Sequence, residues 1–183
     1  MKSNKILSVC LMTYNHVNYI RGAIESVLSQ KTDYSYELII GEDFSTDGTR
    51  DIVLNYAAKY PEIIRLAKSA CNLGMVKNFL NTLNQCNGKY IALIEGDDKW
   101  LDINKINTQL NFMEVNPEFS LSCHNAWVKN ERKRIPAFKF NKNLSKIDFE
   151  DIIMDWRIPT ASIIFRKDAL IVPDWFENMK NWD

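Results

Sequence analysis

Short apolar runs alternate with segments of helical periodicity through the first part of the chain, and this alternation constrains the fold more than any other feature. The runs lie at 6–12, 37–40 and 90–94, with a weaker one at 64–67. Unbroken aliphatic runs of this length predict strands that are buried on both faces. Apolar residues spaced three and four apart predict the helices between them. Strands that alternate with helices favour right-handed βαβ units, so we expect an α/β fold with a mostly parallel central sheet.

Local signals place the ends of these helices. Thr46 or Asp47 is expected to cap the second helix, and Pro61 is expected to end it. Asn87-Gly88 is expected to close the third helix. Farther along, the pattern changes to one more helix and a smaller, mixed set of strands, of which the last is predicted at 161–165.

Composition excludes several classes of protein. Lys plus Arg and Asp plus Glu both total 23, and a formal charge of zero argues against a general nucleic-acid binder. No run approaches the ~20 apolar residues of a membrane helix, and no signal peptide is apparent. Two histidines are too few for an imidazole-rich metal site. The cysteines form no C-x-x-C pair and are expected to be reduced and buried, which is typical of the cytosol: Cys10, Cys71, Cys86 and Cys123.

Polar residues follow three of the predicted strands. The first strand runs into Thr13-Tyr14-Asn15, the second into Gly41-Glu42-Asp43, and the third long one into Glu95-Gly96-Asp97-Asp98. In an open parallel sheet, ligands bind beyond the carboxyl ends of the strands. The sequence therefore predicts one binding edge that collects these three segments.

The acidic segment at 95–98 is the strongest local signal. Clustered carboxylates repel one another and gain from a shared cation, and Mg²⁺ or Mn²⁺ takes one or two carboxylates together with substrate phosphates. The alternative is a solvated acidic turn. Tyr14 could stack on a nucleobase or simply pack, and Asp43 could bind a base N–H or shape a turn. Lys77 could approach a phosphate or remain solvated.

Taken in order, these segments resemble family 2 glycosyltransferases of the GT-A fold. The resemblance is close over residues 6–115 and looser beyond. It rests on the Thr-Tyr-Asn turn at 13–15, the helix at 23–30, Glu42-Asp43-Phe44-Ser45-Thr46-Asp47-Gly48-Thr49, Asn72-Leu73-Gly74 with Lys77-Asn78, and Gly88-Lys89-Tyr90-Ile91 leading into Glu95-Gly96-Asp97-Asp98.

The resemblance implies a role for each matching position. Tyr14 would stack on the base and Asp43 would hydrogen-bond it. Asp97 would contact ribose or sugar, and Asp98 would bind the Mn²⁺ or Mg²⁺ that bridges the diphosphate. Thr13, Asn15 and Lys77 complete the predicted nucleotide-sugar site. The family's general base is an aspartate in the second half, which falls close to Asp183 here.

Four positions depart from the family pattern. Met12 stands where a proline is frequent, Glu42 where an aspartate is usual, Phe44 where a glycine is usual, and Glu95 where the first aspartate of the metal motif is usual. The turn at the base pocket and the metal ligand set are therefore the parts that the resemblance predicts least well.

We accordingly expect residues 1–183 to form a single GT-A domain that stops inside a longer protein, with a nucleotide-binding half at 1–100 and the start of an acceptor half at 101–183. The expected reaction is inverting, metal-dependent transfer from a UDP-sugar to a saccharide or lipid-linked acceptor, in cell-surface polysaccharide synthesis. The expected location is the cytoplasm, with the inner face of the cell membrane as a further hypothesis. The basic stretch at 129–142 is either an ordinary solvated loop or a segment that holds an anionic lipid-linked acceptor near a membrane surface.

Two other functions stay open. A sugar-nucleotidyltransferase would share the α/β layout and the acidic site, but it usually needs a glycine-rich phosphate loop after the first strand, and Met12-Thr13-Tyr14-Asn15-His16 has no glycine. The same absence argues against a dinucleotide-dependent dehydrogenase. A non-catalytic module that binds a nucleotide-sugar is the second alternative.

Overall fold

The computed structural model describes residues 5–129, 133–137, 146–147, 158–176 and 179. Four helices and eight strands lie in these ranges, together with two 3₁₀ turns at Thr160–Ser162 and Lys167–Ala169. In chain order the elements are β1 (Leu7–Thr13), α1 (Ile20–Leu28), β2 (Tyr36–Glu42), α2 (Thr49–Lys59), β3 (Ile64–Leu66), α3 (Met75–Asn84), β4 (Tyr90–Glu95), α4 (Lys105–Val115), β5 (Leu121–Ser122), β6 (Trp127–Lys129), β7 (Arg134–Pro136) and β8 (Ile164–Arg166).

The main sheet has the strand order β3-β2-β1-β4-β8-β5. Strands β3, β2, β1 and β4 are parallel, and β8 is antiparallel to both β4 and β5. The chain builds outward from β1 to β3 and then crosses to the other side of β1, which makes the crevice between β1 and β4 a topological switch point. The predicted α/β fold with a mostly parallel sheet is confirmed.

Both faces of the central strands are covered. On one face, Leu7, Val9 and Leu11 of β1 pack in a cluster with buried residues of α1 and α4. On the other face, Cys10 packs in a second cluster that includes Leu83 of α3. Successive strand residues point to opposite faces, so a helix layer on each side requires the unbroken apolar runs seen in the sequence.

Two glycines lie where a neighbouring element approaches too closely for a side chain. A Cβ on Gly41 of β2 would lie 1.9 Å from Thr82 Oγ1 of α3, and Asn78 Nδ2 donates to the Gly41 carbonyl at 2.8 Å. A Cβ on Gly88 would lie 2.4 Å from the backbone nitrogen of Ser8. Gly88 is therefore needed for close approach to β1, and the prediction that it closes a helix is wrong, because α3 ends at Asn84.

Three other local predictions are corrected. Gly48, with φ +100°, occupies the cap position before α2 instead of Thr46 or Asp47, although Asp47 Oδ1 accepts the N–H of Thr49, the first residue of α2, at 2.9 Å. Of the late strand predicted at 161–165, the first two residues lie in a 3₁₀ turn. Cys10 and Cys86 are buried as predicted, whereas Cys71 is exposed. Within the described ranges no helix has the length and apolar character to cross a membrane.

Candidate functional site

Backbone hydrogen bonds join the carboxyl ends of β1, β2 and β4 beyond the strands themselves. The Asp43 N–H donates to the Thr13 carbonyl at 3.1 Å, and the Gly96 N–H donates to the Met12 carbonyl at 2.8 Å. The three polar segments predicted to meet at one edge therefore do meet there.

Gly96 allows the acidic turn after β4 to lie directly on the end of β1. A Cβ at this position would lie 2.4 Å from Thr13 Oγ1 and 2.6 Å from His16 Nδ1. Those two side-chain atoms are themselves 3.3 Å apart, and Thr13 is buried. The sequence did not single out His16 for this place, since only the folded chain brings it against residue 96.

The loops after β1 and β2 are tied together. The Asn15 N–H donates to Ser45 Oγ at 2.9 Å, and the Thr46 N–H donates to Asn15 Oδ1 at 2.9 Å. Asn15 and Phe44 both have positive φ, 54° and 60°. Asn tolerates this conformation, but it is unusual for Phe and is held here by its surroundings.

Phe44 stands where the family resemblance predicts a glycine, and its backbone has the left-handed conformation that a glycine would adopt easily. The Arg50 guanidinium lies 4.4 Å from the centre of the Phe44 ring. Arg50 Nη1 also contacts Glu42 Oε2 at 2.5 Å, and Glu42 Oε1 accepts the Ser45 N–H at 2.7 Å. The buried Glu42 carboxylate and the stacked arginine thus stabilise a turn that carries a bulky residue in a glycine-like conformation.

Asp43 joins the end of β2 to the segment that leads into α3. Its Oδ1 accepts the Leu73 N–H at 2.7 Å and its Oδ2 accepts the Gly74 N–H at 2.9 Å. Asn72 Nδ2 donates to the Asp43 carbonyl at 2.6 Å. Asp43 is only 3% exposed. Each carboxylate oxygen keeps a second acceptor site, so the predicted contact with a base remains a prediction beside this structural role.

The carboxylates after β4 have a different environment. Partial removal from solvent raises the pKa of Glu95, and the charges of Asp98 and Asp97 raise it further. Desolvation and then Asp97 raise the pKa of Asp98, although the Glu95 backbone and His16 oppose this. Within the described ranges none of the three forms an ion pair.

The donor set fits a hard divalent cation that is completed by its substrate. Among the residues that the structure describes, no three His, Cys, Asp or Glu side chains converge into a metal cage. Mg²⁺ and Mn²⁺ are commonly held by one or two carboxylates and by substrate phosphate oxygens. Mutually repelling carboxylates at a strand end are suited to that arrangement.

The other predicted site residues are distributed as follows. Tyr14 is 47% exposed, so its ring is open to a ligand at this edge, and Asp97 is exposed in the acidic turn. Lys77 is exposed on the first turn of α3, which begins directly after the segment that Asp43 holds. Asp183 lies outside the described residues.

The structure also reveals a buried lysine in the second half. Lys105 Nζ contacts Gln109 Oε1, donates to the Ser162 carbonyl at 3.2 Å and lies 4.7 Å from the centre of the Trp100 ring. Burial lowers the pKa of Lys105 to about 7. Gln109 Nε2 donates to the carbonyls of Ser122 and Ser162 at 3.1 and 3.0 Å. This polar network fixes β5 against the turn before β8.

Comparison with known proteins identifies similar chains. The family model described as Glycosyl transferase family 2 matches residues 8–177. An uncharacterized protein of Mycobacterium tuberculosis, Rv1520, is 30% identical over 96% of this chain and 53% of its own length. The putative teichuronic acid biosynthesis glycosyltransferase TuaG of Bacillus subtilis is 30% identical over 89% of this chain and 63% of its own length. The chain thus spans about half to two thirds of these curated relatives.

Solved structures share the fold. S. aureus TarS in complex with UDP superimposes with a TM-score of 0.66 at 23% identity, over 88% of this chain and 46% of TarS. The mannosyltransferase PcManGT of Pyrobaculum calidifontis, in complex with GDP-Man and Mn²⁺, gives a TM-score of 0.58 at 20% identity, over 68% of this chain and 37% of its own.

Proposed function

This chain belongs to glycosyltransferase family 2, and on that premise we propose that it binds a UDP-sugar with Mn²⁺ or Mg²⁺ and takes part in inverting transfer of the sugar to a saccharide or lipid-linked acceptor. The observation that carries the proposal is the convergence, at the switch point of the sheet, of an exposed aromatic ring on Tyr14 with the unpaired carboxylates at 95–98. An exposed aromatic ring and an acidic turn at the same edge of the sheet would suit a ligand that has a base at one end and a diphosphate near the other.

Asp98 would hold the cation, and Asp97 would contact the ribose or the sugar. A bound Mn²⁺ or Mg²⁺ supplies electrostatic stabilisation of the negative charge that develops on the leaving diphosphate. The acidic turn orients these oxygens because Gly96 fixes it against β1. Glu95 stands where an aspartate is usual, and desolvation, followed by the charges of Asp98 and Asp97, raises its pKa.

Tyr14 and Asp43 would select the base. Thr13 and Asn15 flank Tyr14 and would shape the turn that carries it. Asn15 performs that task through its hydrogen bonds to Ser45 and Thr46. Lys77 would approach the phosphates from the start of α3. UDP is the nucleotide bound by the related fold of TarS, whereas PcManGT binds GDP-Man, so the preference for uracil needs a direct test.

The acceptor and the general base are part of the proposal. A role in cell-surface polysaccharide synthesis is supported by the name of the relative TuaG, a putative teichuronic acid biosynthesis glycosyltransferase, and the cytoplasm or the cytoplasmic face of a membrane is the proposed location. Asp183 is proposed as the general base that takes the acceptor hydroxyl proton. Asp174, exposed and directly after Pro173, is the second candidate.

A panel of UDP-, GDP- and TDP-sugars, tested by thermal shift with and without Mn²⁺, examines the donor proposal. We expect the UDP-sugars to raise the melting temperature only when Mn²⁺ is present. An equal shift with all three bases would contradict base selection by Tyr14 and Asp43.

Turnover separates the remaining alternatives. A glycosyltransferase releases UDP from the donor when the acceptor is present, a sugar-nucleotidyltransferase forms pyrophosphate from UTP and a sugar phosphate, and a binding module does neither. The assay uses the longest natural chain that contains residues 1–183.

A further inference from the structure

Strands β6 and β7 pair as a hairpin in which every strand residue is exposed. Trp127, Val128 and Ile135 keep 57%, 51% and 49% of their surfaces accessible, and the remaining three strand residues are exposed as well. Large apolar side chains that lie together on a surface mark a site of interaction.

The pairing register distributes these side chains over both faces of the hairpin. Val128 pairs with Ile135, while Trp127 pairs with Pro136 and Lys129 pairs with Arg134. Directly paired residues share a face and adjacent pairs alternate, so one face carries Val128 and Ile135, and the other carries Trp127, Pro136 and the two cations. A protein partner that docks on one face would leave the apolar residues of the other face uncovered, whereas a lipid interface surrounds both faces.

The same register places two positive charges directly opposite each other. Like charges at paired positions destabilise a hairpin unless an anion lies between them. Neither Lys129 nor Arg134 has a carboxylate partner in the described part of the chain. Residues 127–146 contain seven Lys or Arg and one Glu, so the hairpin lies in a strongly basic part of the sequence. An anionic surface would supply what the hairpin lacks.

The position of the hairpin relates it to the functional site. Strand β5 is parallel to β4, because both are antiparallel to β8. The carboxyl end of β5 therefore lies at the same edge as the acidic turn after β4. The hairpin begins five residues after the end of β5, which attaches it to that edge.

We propose that the β6–β7 hairpin docks the protein on an anionic phospholipid surface, with Lys129 and Arg134 contacting headgroup phosphates and with Trp127, Val128 and Ile135 entering the interface. Tryptophan is suited to this depth because its ring is apolar and its N–H is polar. Cations beside exposed apolar residues are the pattern of proteins that lie on membranes rather than cross them. The inference goes beyond sugar transfer and does not depend on it.

Flotation with vesicles tests the proposal on the full chain. We expect binding to vesicles of phosphatidylcholine with phosphatidylglycerol and much weaker binding to phosphatidylcholine alone. The double variant Lys129→Gln/Arg134→Gln should bind anionic vesicles about thirtyfold more weakly, since each cation near such a surface contributes ~1 kcal/mol. The matched control Lys31→Gln/Lys59→Gln removes the same charge from exposed positions near β2 and β3, and it should bind like the unmodified protein.

Trp127→Ser tests insertion separately from charge. It should weaken binding to anionic vesicles and abolish the blue shift in tryptophan emission that vesicles produce, while the thermal shift given by UDP with Mn²⁺ stays unchanged. That last measurement keeps a failure of docking distinct from a failure of donor binding. Equal vesicle binding by the Lys129→Gln/Arg134→Gln variant and its control would overturn the proposal. So would a dimer that forms without lipid and dissociates on Trp127→Ser, because the hairpin would then bind a second copy.

Discussion

The strand ends of β2 and β4 each carry acidic residues, yet the two groups have opposite environments. Glu42 and Asp43 are buried, and each carboxylate oxygen accepts a hydrogen bond or an ion pair from within the fold. Glu95, Asp97 and Asp98 are at least partly exposed, repel one another and have no ion pair among the described residues. The first group stabilises the protein as anions, whereas the mutual repulsion in the second group is what the proposed cation would relieve. Substitutions should therefore affect stability at β2 and ligand binding at β4.

Asp98→Asn should have the largest effect on binding. It removes the charge proposed to hold the cation, and we expect Mn²⁺-dependent UDP affinity to fall by at least ~100-fold, as is usual when a metal ligand or its close support is lost. Isothermal titration calorimetry measures this, with Asp33→Asn as an exposed control. The far-UV circular dichroism should stay the same. UDP affinity that is unchanged would remove Asp98 from the metal site.

Asp43→Asn should have the largest effect on stability. The amide nitrogen of Asn cannot accept a hydrogen bond, so either the Leu73 or the Gly74 N–H loses its buried partner. We expect the free energy of unfolding to fall by about 2 kcal/mol in urea. Asp98→Asn provides the comparison, since it should cost no stability without metal. Similar losses in both variants would break the distinction between the two strand ends.

Asp43→Ala sharpens the same comparison on the ligand side. If Asp43 also contacts the base, UDP affinity should fall about tenfold while the affinity for pyrophosphate stays the same. Competition against a labelled UDP-sugar measures both ligands. Equal losses would mean that Asp43 acts only by holding residues 72–74 or by touching the phosphates.

Lys105 extends the comparison to a buried amine that forms no ion pair with a carboxylate in the described part of the chain. Its pKa is about 7 in the fold against 10.5 in the unfolded chain. Between these values the unfolded state binds more protons, so this residue makes the unfolding free energy rise with pH, by at most ~1.4 kcal/mol per pH unit. Lys105→Met should remove that slope.

Urea unfolding at several pH values from neutral to alkaline tests this prediction. Burial also raises the pKa of the nearby Cys123, which contributes with the opposite sign. The difference between the unmodified protein and Lys105→Met reports the lysine together with a change at Cys123, because Lys105 lowers the pKa of that thiol. Parallel pH profiles would contradict the lowered pKa of Lys105.

Glu95→Gln should have the smallest effect. Without metal, the substitution removes one of three carboxylates that repel one another. We expect the free energy of unfolding to rise by only about 0.3 kcal/mol, because solvent screens these charges. The pKa of Glu95 is raised in the fold, so its unfavourable contribution exists at neutral pH and disappears as the pH falls through that pKa. Thermal melts at neutral and acidic pH check this, and a gain that persists in acid would assign it to packing instead.

The meeting of three polar segments at one edge of the sheet was predictable because it follows from short-range patterns. Each strand is an unbroken apolar run, and the residue that follows it is fixed by the chain itself. Parallel strands then deliver their carboxyl ends to one edge whatever the details of packing. The predictions failed where a single glycine has two possible uses, as at Gly88, which allows close approach to β1 instead of ending a helix.

The sequence by itself determined the parallel strands, the helices between them, the edge at which they place polar groups and the family to which those motifs belong. Only the tertiary structure decided which charges have partners. The Asp43 carboxylate accepts the Gly74 N–H. The side chains of Thr13 and His16 lie against Gly96. Lys105 donates to the Ser162 carbonyl. Local propensity acts over a few residues, whereas the environment of a charge depends on residues that are distant in sequence. Asp43 and Gly74 are 31 positions apart, and Lys105 and Ser162 are 57 positions apart. Similar acidic segments therefore acquire different chemistry only when the chain has folded.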